Sequence, residues 1–201
     1  MGKRMTVEQV MHIVERDAVF YRRSGGGVTF SGGEPLAQPR FLMRLLEECR
    51  SSGIRTALET CGYFAWPSAM DFLRGVDLVF LDIKHMDSAV HREITGVSNQ
   101  LILQNAVNAA RANIPLVIRV PVVPALNDSV ENIKATAEFV ARNLDGCVGM
   151  ELLPYHRLGK SKYAALGMEY TLDRIEPPSA ETLALLRTII AEAGVHNLTP
   201  A

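Results

Sequence analysis

The chain has 201 residues, a formal net charge of −1, 48% hydrophobic residues and 21% charged residues. This length is enough to bury a full core, so we expect residues 1–201 to form one domain. The composition excludes a disordered chain, and the small net charge gives no electrostatic reason to expect nucleic acid or an anionic membrane as a partner. The sequence contains neither a bilayer-spanning apolar run nor a signal-peptide pattern at its start, which predicts a cytoplasmic location.

Helical and strand patterns alternate along the chain. The first helix is predicted over residues 6–21, with Thr6 as its N-cap and Gln9 completing a capping box. Strands are then predicted at 28–30, 55–59, 78–83, 116–122 and 148–153, and helices at 39–51, 67–73, 101–112, 130–143 and 180–193. Such alternation indicates an α/β fold in which a parallel sheet is connected by crossover helices.

The periodicity leaves two architectures open, a doubly wound sheet and a curved, barrel-like sheet. Both place their ligands at the carboxyl ends of the strands. The chain begins with a helix, whereas a βα barrel begins with a strand, so we expect a segment to be missing upstream. An absent first strand would expose the edge of the strand at 28–30 and favour self-association.

The cysteines Cys49, Cys61 and Cys147 are odd in number and far apart, which is a poor disulfide framework. Cys49 lies on the apolar face of a predicted helix and is interpreted as buried filler. Cys147 opens a predicted strand and is interpreted in the same way. Cys61 follows a strand end and is less easily dismissed. The spacing of the three predicts no metal site.

Five successive strands carry charged or ligand-friendly residues at or near their ends. These are Gly32, Gly33 and Glu34 after the first strand, Glu59 at the end of the second, Asp82 and Lys84 at the third, Arg119 within the fourth, and His156 after the fifth. The glycines allow a ligand to approach the backbone, and Pro35 suits the first position of a helix. We therefore expect one polar pocket at this edge of the sheet.

Each of these residues also has an ordinary structural interpretation. Asp82 and Lys84 lie two residues apart on a strand, so they share a face and can form a simple ion pair. Arg119 alone fits an internal ion pair, and His156 alone fits a hydrogen-bonded loop. Together, carboxylates and cations suit a zwitterionic ligand with sugar hydroxyls. The glycine-rich dinucleotide and phosphate-loop motifs are absent from the sequence.

These motifs resemble the radical S-adenosylmethionine (SAM) superfamily, and within it the activating enzymes of glycyl radical enzymes such as pyruvate formate-lyase. Ser-Gly-Gly-Glu-Pro at 31–35 resembles the family's motif for the amino group of SAM, and Leu-Glu-Thr-Cys-Gly at 58–62 resembles a SAM and cation site. Asp-Ile-Lys at 82–84 is similar to the motif whose lysine reaches the SAM carboxylate. Residues 152–156 resemble the segment whose histidine contacts SAM near its ribose and adenine.

The resemblance implies a partial (βα) barrel that binds SAM, with Gly32, Gly33, Glu34, Glu59, Asp82, Lys84, Arg119 and His156 as the cofactor-binding set. It also implies a [4Fe–4S] cluster, whose reduction of SAM yields the 5′-deoxyadenosyl radical that abstracts hydrogen from a glycine of the partner enzyme. The implied partners are a glycyl radical enzyme and an electron donor such as flavodoxin or ferredoxin.

The sequence departs from this family in one respect. The cluster motif C-x3-C-x2-C is absent from the 201 residues. We therefore expect a chain truncated at its N-terminus, lacking the first strand and the cluster loop, and inactive alone. No catalytic residue is assigned. The alternatives are a non-catalytic remnant that binds SAM or docks a partner, and an aldolase-like barrel using Lys84 as a Schiff-base nucleophile.

Overall fold

The computed structural model describes residues 2–199, in which six parallel strands form one open sheet in sequential order. The strands are β1 (Gly27–Phe30), β2 (Arg55–Thr60), β3 (Leu78–Asp82), β4 (Leu116–Val122), β5 (Gly149–Pro154) and β6 (Asn197–Leu198). Because all are parallel, their carboxyl ends meet along one edge. The predicted parallel sheet is confirmed.

The helices are α1 (Val7–Arg16), α2 (Ala18–Ser24), α3 (Pro39–Ser51), α4 (Trp66–Arg74), α5 (Ser88–Thr95), α6 (Gln100–Arg111), α7 (Val130–Asn143), α8 (Lys160–Ala165) and α9 (Ala180–Glu192). The capping box of Thr6 and Gln9 is present at the start of α1. The single helix predicted over 6–21 is wrong, because the backbone leaves helical geometry at Asp17 and α2 begins after it.

Other boundaries also differ from expectation. Pro35 opens a short 3-10 turn, Pro35–Ala37, and is not the first residue of the following α-helix; α3 begins at Pro39, as predicted. Cys147 precedes β5 and does not open it. The sequence patterns missed α5, α8 and β6. The first of these has only eight residues and begins at a local cap, in which the Asp87 carboxylate accepts from the N–H groups of residues 89 and 90.

The hydrophobic core has two parts. The larger lies between the sheet and the helices packed on it, and includes Leu58, Ile118 and Leu152. A smaller cluster joins α1 to α3 through Met11, Val14, Leu45, Cys49 and Ile54. Cys49 is fully buried there, as predicted, and burial raises the pKa of its thiol to about 11.

The strand β1 pairs only with β2 among the described strands, so it is an edge of the sheet. Its residues alternate between exposed and half-buried, and Val28 and Phe30 contribute to the two cores. The nine helices of residues 2–199 include none with the length and apolarity needed to cross a membrane.

Candidate functional site

The carboxyl edge of the sheet carries an open cleft of about 370 Å³. It is lined by residues 31–34 after β1, by Glu59, Thr60 and Cys61 at the end of β2, and by Asp82, Arg119 and Leu153 from the next three strands. Six of the eight residues predicted to bind a cofactor therefore line one cleft, namely Gly32, Gly33, Glu34, Glu59, Asp82 and Arg119.

Glu34 connects the turn after β1 to the end of β2. Its carboxylate accepts hydrogen bonds from the Thr60 hydroxyl at 3.0 Å and from the Cys61 N–H at 3.0 Å. It also accepts from the N–H of Leu36, which caps the short 3-10 turn. These three donors hold the carboxylate in one orientation at the cleft wall. The remaining acceptor capacity of its two oxygens is available to a cationic group.

The two glycines of the turn are there for different reasons. Gly32 has a φ of 115°, a conformation that residues with a side chain rarely adopt. Gly33 has no such backbone requirement, and a Cβ placed there would meet no protein atom within 4 Å. Since Gly33 lines the cleft, a side chain at this position would project into space that a ligand can use.

Arg119 lies in the middle of a charged group that extends from β2 to β5. Its guanidinium donates from Nη1 to Glu59 Oε1 at 2.5 Å and from Nε to the Glu151 carboxylate, and it stacks on the Phe80 ring at 3.6 Å. The Glu151 side chain is only 7% exposed. The interpretation of Arg119 as an internal ion-pair partner is therefore confirmed, and the residue also borders the cleft.

Glu151 was not among the predicted site residues. A signal was present, because Arg119 and Glu151 each interrupt an otherwise apolar strand. The register that sets them side by side comes from the pairing of β4 with β5. A charged residue buried in one strand calls for an opposite charge in its neighbour, and that rule identifies this pair.

Asp82 and Lys84 form an ion pair of 3.0 Å at the end of β3. They share one side of the chain, while the intervening Ile83 is buried. Lys84 stands beside the cleft and is not among the residues that line it. Its ammonium is engaged with the Asp82 carboxylate beside the cleft.

His156 lies apart from the other predicted residues. It is exposed two residues beyond β5, and its Nδ1 accepts a hydrogen bond from the N–H of Leu158 at 3.3 Å. Within residues 2–199 the cleft lining reaches β5 only at Leu153. The cleft thus brings together predicted residues of the first four strands, and His156 lies outside it, beyond the fifth.

The described residues do not fit an iron–sulfur cluster. Residues 2–199 contain no group of three cysteine, histidine or acidic side chains suited to a metal ion. Cys61 lies at the carboxyl edge, Cys147 precedes β5 at the opposite edge, and Cys49 is enclosed between α1 and α3. Burial, followed by a hydrogen bond with Glu34, raises the pKa of the Cys61 thiol. A cluster needs several nearby thiolates, so these cysteines cannot form its ligand set.

A second cavity, of about 340 Å³, lies at the amino edge of the sheet and is lined by Arg50, Arg55 and Arg74 among others. Its size matches that of the carboxyl-edge cleft, but its charge does not. The single acidic residue in its lining, Asp77, already accepts from the N–H of Thr56 at 2.8 Å. Of these two cavities, the carboxyl-edge cleft combines carboxylates of three strand ends with a guanidinium, so it is the better fit for a zwitterionic ligand.

Comparison with known proteins matches this architecture and these motifs. The sequence profile of the Radical SAM superfamily covers residues 1–140. The chain belongs to the radical SAM superfamily. The structure of a domain of a pyruvate-formate lyase-activating enzyme from Bacteroides vulgatus superposes with a TM-score of 0.73 at 34% identity, covering 88% of this chain and 99% of that one. The predicted partial barrel of the radical SAM type is thereby confirmed.

Curated proteins similar to this chain include activating enzymes. The (2S)-3-sulfopropanediol dehydratase activating enzyme of Klebsiella oxytoca is 43% identical over 199 residues, which are 97% of this chain and 63% of the relative. The isethionate sulfite-lyase activating enzyme of Nitratidesulfovibrio vulgaris is 45% identical over 195 residues, 96% of this chain and 62% of the relative. The resemblance to glycyl radical enzyme activating enzymes is confirmed, and the chain spans under two thirds of these relatives.

Membership in the superfamily implies SAM and a [4Fe–4S] cluster as cofactors. The carboxyl-edge cleft fits the first of them, because it combines acidic groups, a guanidinium and an open glycine backbone. The residues that the structure describes supply no set of ligands for the [4Fe–4S] cluster.

Proposed function

We propose that this chain is the SAM-binding core of an activating enzyme for a glycyl radical enzyme. The observation that carries the proposal is the cleft at the carboxyl edge, in which Glu34, Glu59, Asp82 and Arg119 converge. The 34–45% identity with activating enzymes supports the enzyme class. The identity of the partner enzyme is left to experiment.

The charges of the cleft are complementary to those of SAM. Glu34, fixed by the Thr60 hydroxyl and the Cys61 N–H, is suited to the α-ammonium group. Lys84, held by Asp82, is suited to the α-carboxylate. Glu59 and Arg119 then border the remaining polar part of the ligand. The backbone of Gly33 provides close approach because no side chain occupies that space.

His156 is proposed as a contact to the ribose or adenine end. It is exposed beyond β5, while the groups proposed for the amino-acid end lie around β1 to β3. An extended ligand that reaches from Glu34 toward His156 therefore crosses the carboxyl edge of the sheet. His156→Ala is expected to weaken binding less than Lys84→Ala, because an exposed hydrogen bond competes with water.

In the superfamily, SAM reduced by the cluster supplies the radical that abstracts hydrogen. This chain's own residues bind and orient SAM beside that chemistry. We propose that this chain does not bind a [4Fe–4S] cluster by itself. For a protein that carries the cluster, the proposed electron donor is a protein such as flavodoxin or ferredoxin. The glycyl radical enzyme is the proposed protein partner, and self-association through β1 is a further proposal.

Isothermal titration with SAM tests the binding proposal. The unaltered chain is expected to bind one equivalent, and Lys84→Ala or Asp82→Ala is expected to weaken binding by about tenfold or more, which is 1.4 kcal/mol or more. Thr188→Ala is a control on α9, where the hydroxyl only bonds to a carbonyl of its own helix. Absence of binding by the unaltered chain contradicts the proposal.

Iron–sulfur reconstitution tests the proposal that the chain alone is inactive. After anaerobic reconstitution and desalting, no stable visible absorption of a cluster is expected, and no reductive cleavage of SAM. A stable cluster with SAM cleavage from this chain contradicts the inactivity proposal without affecting the SAM-binding proposal.

A further inference from the structure

The segment that carries Lys84 is fixed from behind by buried asparagines. Asn127, in the loop after β4, is 4% exposed and donates to the carbonyl of Lys84 at 2.8 Å and to that of Pro121 at 2.6 Å. Its side-chain oxygen accepts from the N–H of Val123 at 2.7 Å. Two carbonyls on one side and one N–H on the other fix the orientation of this amide.

Asn132, at the start of α7, extends this connection. It is also 4% exposed, donates to the carbonyl of Asn127 at 2.8 Å and accepts from the N–H of Met86 at 2.9 Å. Asn99 donates to the carbonyls of His85 and Met86 at 3.0 and 2.7 Å. The backbone of residues 84–86 is thus hydrogen-bonded to three asparagine side chains, which come from the loop after β4, from α7 and from the N-terminus of α6.

These side-chain contacts take the place of sheet pairing beyond the end of β3. The strand β3 ends at Asp82, so residues 84–86 have no sheet partners to hold them. Their polar backbone groups are satisfied instead by amide side chains distant in sequence. As a result, the Lys84 backbone is positioned at the point where its side chain must meet both Asp82 and a ligand.

We infer that Asn127, supported by Asn132, is a positioning residue for recognition of the ligand carboxylate by Lys84. The inference rests on the proposed SAM site. Removing the Asn127 amide frees the Lys84 carbonyl, and the ammonium then loses its fixed position relative to the Glu34 end of the cleft. A ligand that carries the carboxylate then binds more weakly, whereas the same ligand without its carboxylate binds as before.

The test compares SAM with decarboxylated SAM, which keeps the amine, the sulfonium and the ribose. The ratio of their dissociation constants is measured by titration calorimetry for the unaltered chain, Asn127→Ala, Lys84→Ala and the double variant. The unaltered chain is expected to prefer SAM by about tenfold. Each single variant should lose most of that preference, and the double variant should lose no more than Lys84→Ala, because both changes remove one interaction.

Asn105→Ala is the matched control for general destabilisation. Asn105 is 1% exposed and also donates to two carbonyls, those of Gly62 and Phe64, but it holds the loop after β2. It is expected to lower the unfolding midpoint as Asn127→Ala does, while leaving the preference for SAM intact. If Asn127→Ala does not fold, Asn132→Ala takes its place and is expected to lower the same ratio.

A second readout is independent of SAM. The Lys84 side chain is 32% exposed, so its acetylation by a small reagent can be followed by mass spectrometry. Asn127→Ala should accelerate that acetylation severalfold relative to the average of the other lysines, and Asn105→Ala should not.

The outcomes separate the inference from the proposed function. A preference for SAM that survives in Asn127→Ala but not in Lys84→Ala overturns the inference alone. If the unaltered chain binds neither ligand, the proposed function fails, and the acetylation rate decides the positioning role. An unchanged rate in Asn127→Ala then overturns it.

Discussion

The two sides of the carboxyl-edge cleft are built differently. From β1 to β5, buried or half-buried groups connect one strand to the next, as Glu34 does with Thr60 and Arg119 with Glu151. After β5, the segment that includes α8 is held by ion pairs whose members are largely exposed, such as Arg157 with Glu176 and Lys160 with Asp173. The strand side of the cleft is therefore preorganised, whereas the segment after β5 is held by exposed ion pairs.

This difference indicates how recognition is divided. A fixed wall suits the small, charged end of a ligand, because its donors and acceptors need no rearrangement. The segment after β5 instead exposes apolar side chains, with Leu158, Leu166 and Met168 more than half exposed. We expect the fixed groups around β1 to β4 to determine the affinity for the amino-acid end of SAM. The segment after β5 is expected to contribute less to the affinity. The following variants test that division, from the largest effect to the smallest.

Glu151→Ala is expected to have the largest effect on stability. It leaves the guanidinium of Arg119, whose side chain is 16% exposed, without its buried partner, at a cost of about 3–5 kcal/mol. The matched control is Glu176→Ala, which removes a carboxylate from the exposed Arg157 and should leave the urea midpoint unchanged. Equal losses in the two variants contradict the distinction between the two sides.

Glu34→Ala is expected to lower stability by about 1–3 kcal/mol, because the Cys61 N–H and the Thr60 hydroxyl lose their acceptor. It should also weaken SAM binding. Glu34→Gln keeps one acceptor oxygen and the side-chain volume, so it should preserve more of the stability while still losing affinity through the missing charge. Urea unfolding and titration with SAM separate the two effects. Unaltered affinity in Glu34→Gln excludes the proposed contact with the ammonium.

The two glycines of the turn provide a pair of smaller changes. Gly32→Ala places a side chain at a φ of 115° and should cost about 1 kcal/mol in stability. Gly33→Ala meets no protein atom within 4 Å, so its stability should be unchanged while SAM binds severalfold more weakly. Thermal unfolding and calorimetry measure both. Full affinity in Gly33→Ala shows that the ligand does not approach this backbone.

The smallest expected effect concerns the reactivity of Cys61. Burial and the hydrogen bond with Glu34 raise the pKa of its thiol, so at a given pH it carries less thiolate than a free cysteine. Its alkylation rate should therefore rise with pH with a midpoint above the free value of about 8.5. Glu34→Gln should shift that midpoint down by removing a negative neighbour. A midpoint at or below the free value contradicts this environment.

The elements that position the site were largely predictable from the sequence. The bounds of β4, α3 and α7 match those expected, because long apolar patterns can be recognised from neighbouring residues. The positions of Glu34, Glu59, Asp82 and Arg119 around one cleft followed from the parallel topology alone.

The supporting interactions were not predictable in the same way. The pairing of Arg119 with Glu151 depends on the register between β4 and β5, and the contact of Asn127 with Lys84 joins residues 43 positions apart. In the first pair each charge interrupts an apolar strand, but the register that makes them neighbours is not a local property of the sequence. The second contact has no sequence signal, since asparagines in loops ordinarily indicate turns. His156 was grouped with the cleft by its motif, whereas its place depends on the path of the chain after β5.

Hydrogen–deuterium exchange with and without saturating SAM tests the central claim most directly. SAM is expected to slow exchange in peptides that contain residues 31–34, 59–62 and 82–86, at the carboxyl edge. Peptides that contain residues 50–55 and 74–77, around the arginine-lined cavity of about 340 Å³, should be unaffected. Protection confined to that amino edge, or none at all, would contradict a SAM site at the ends of β1, β2 and β3.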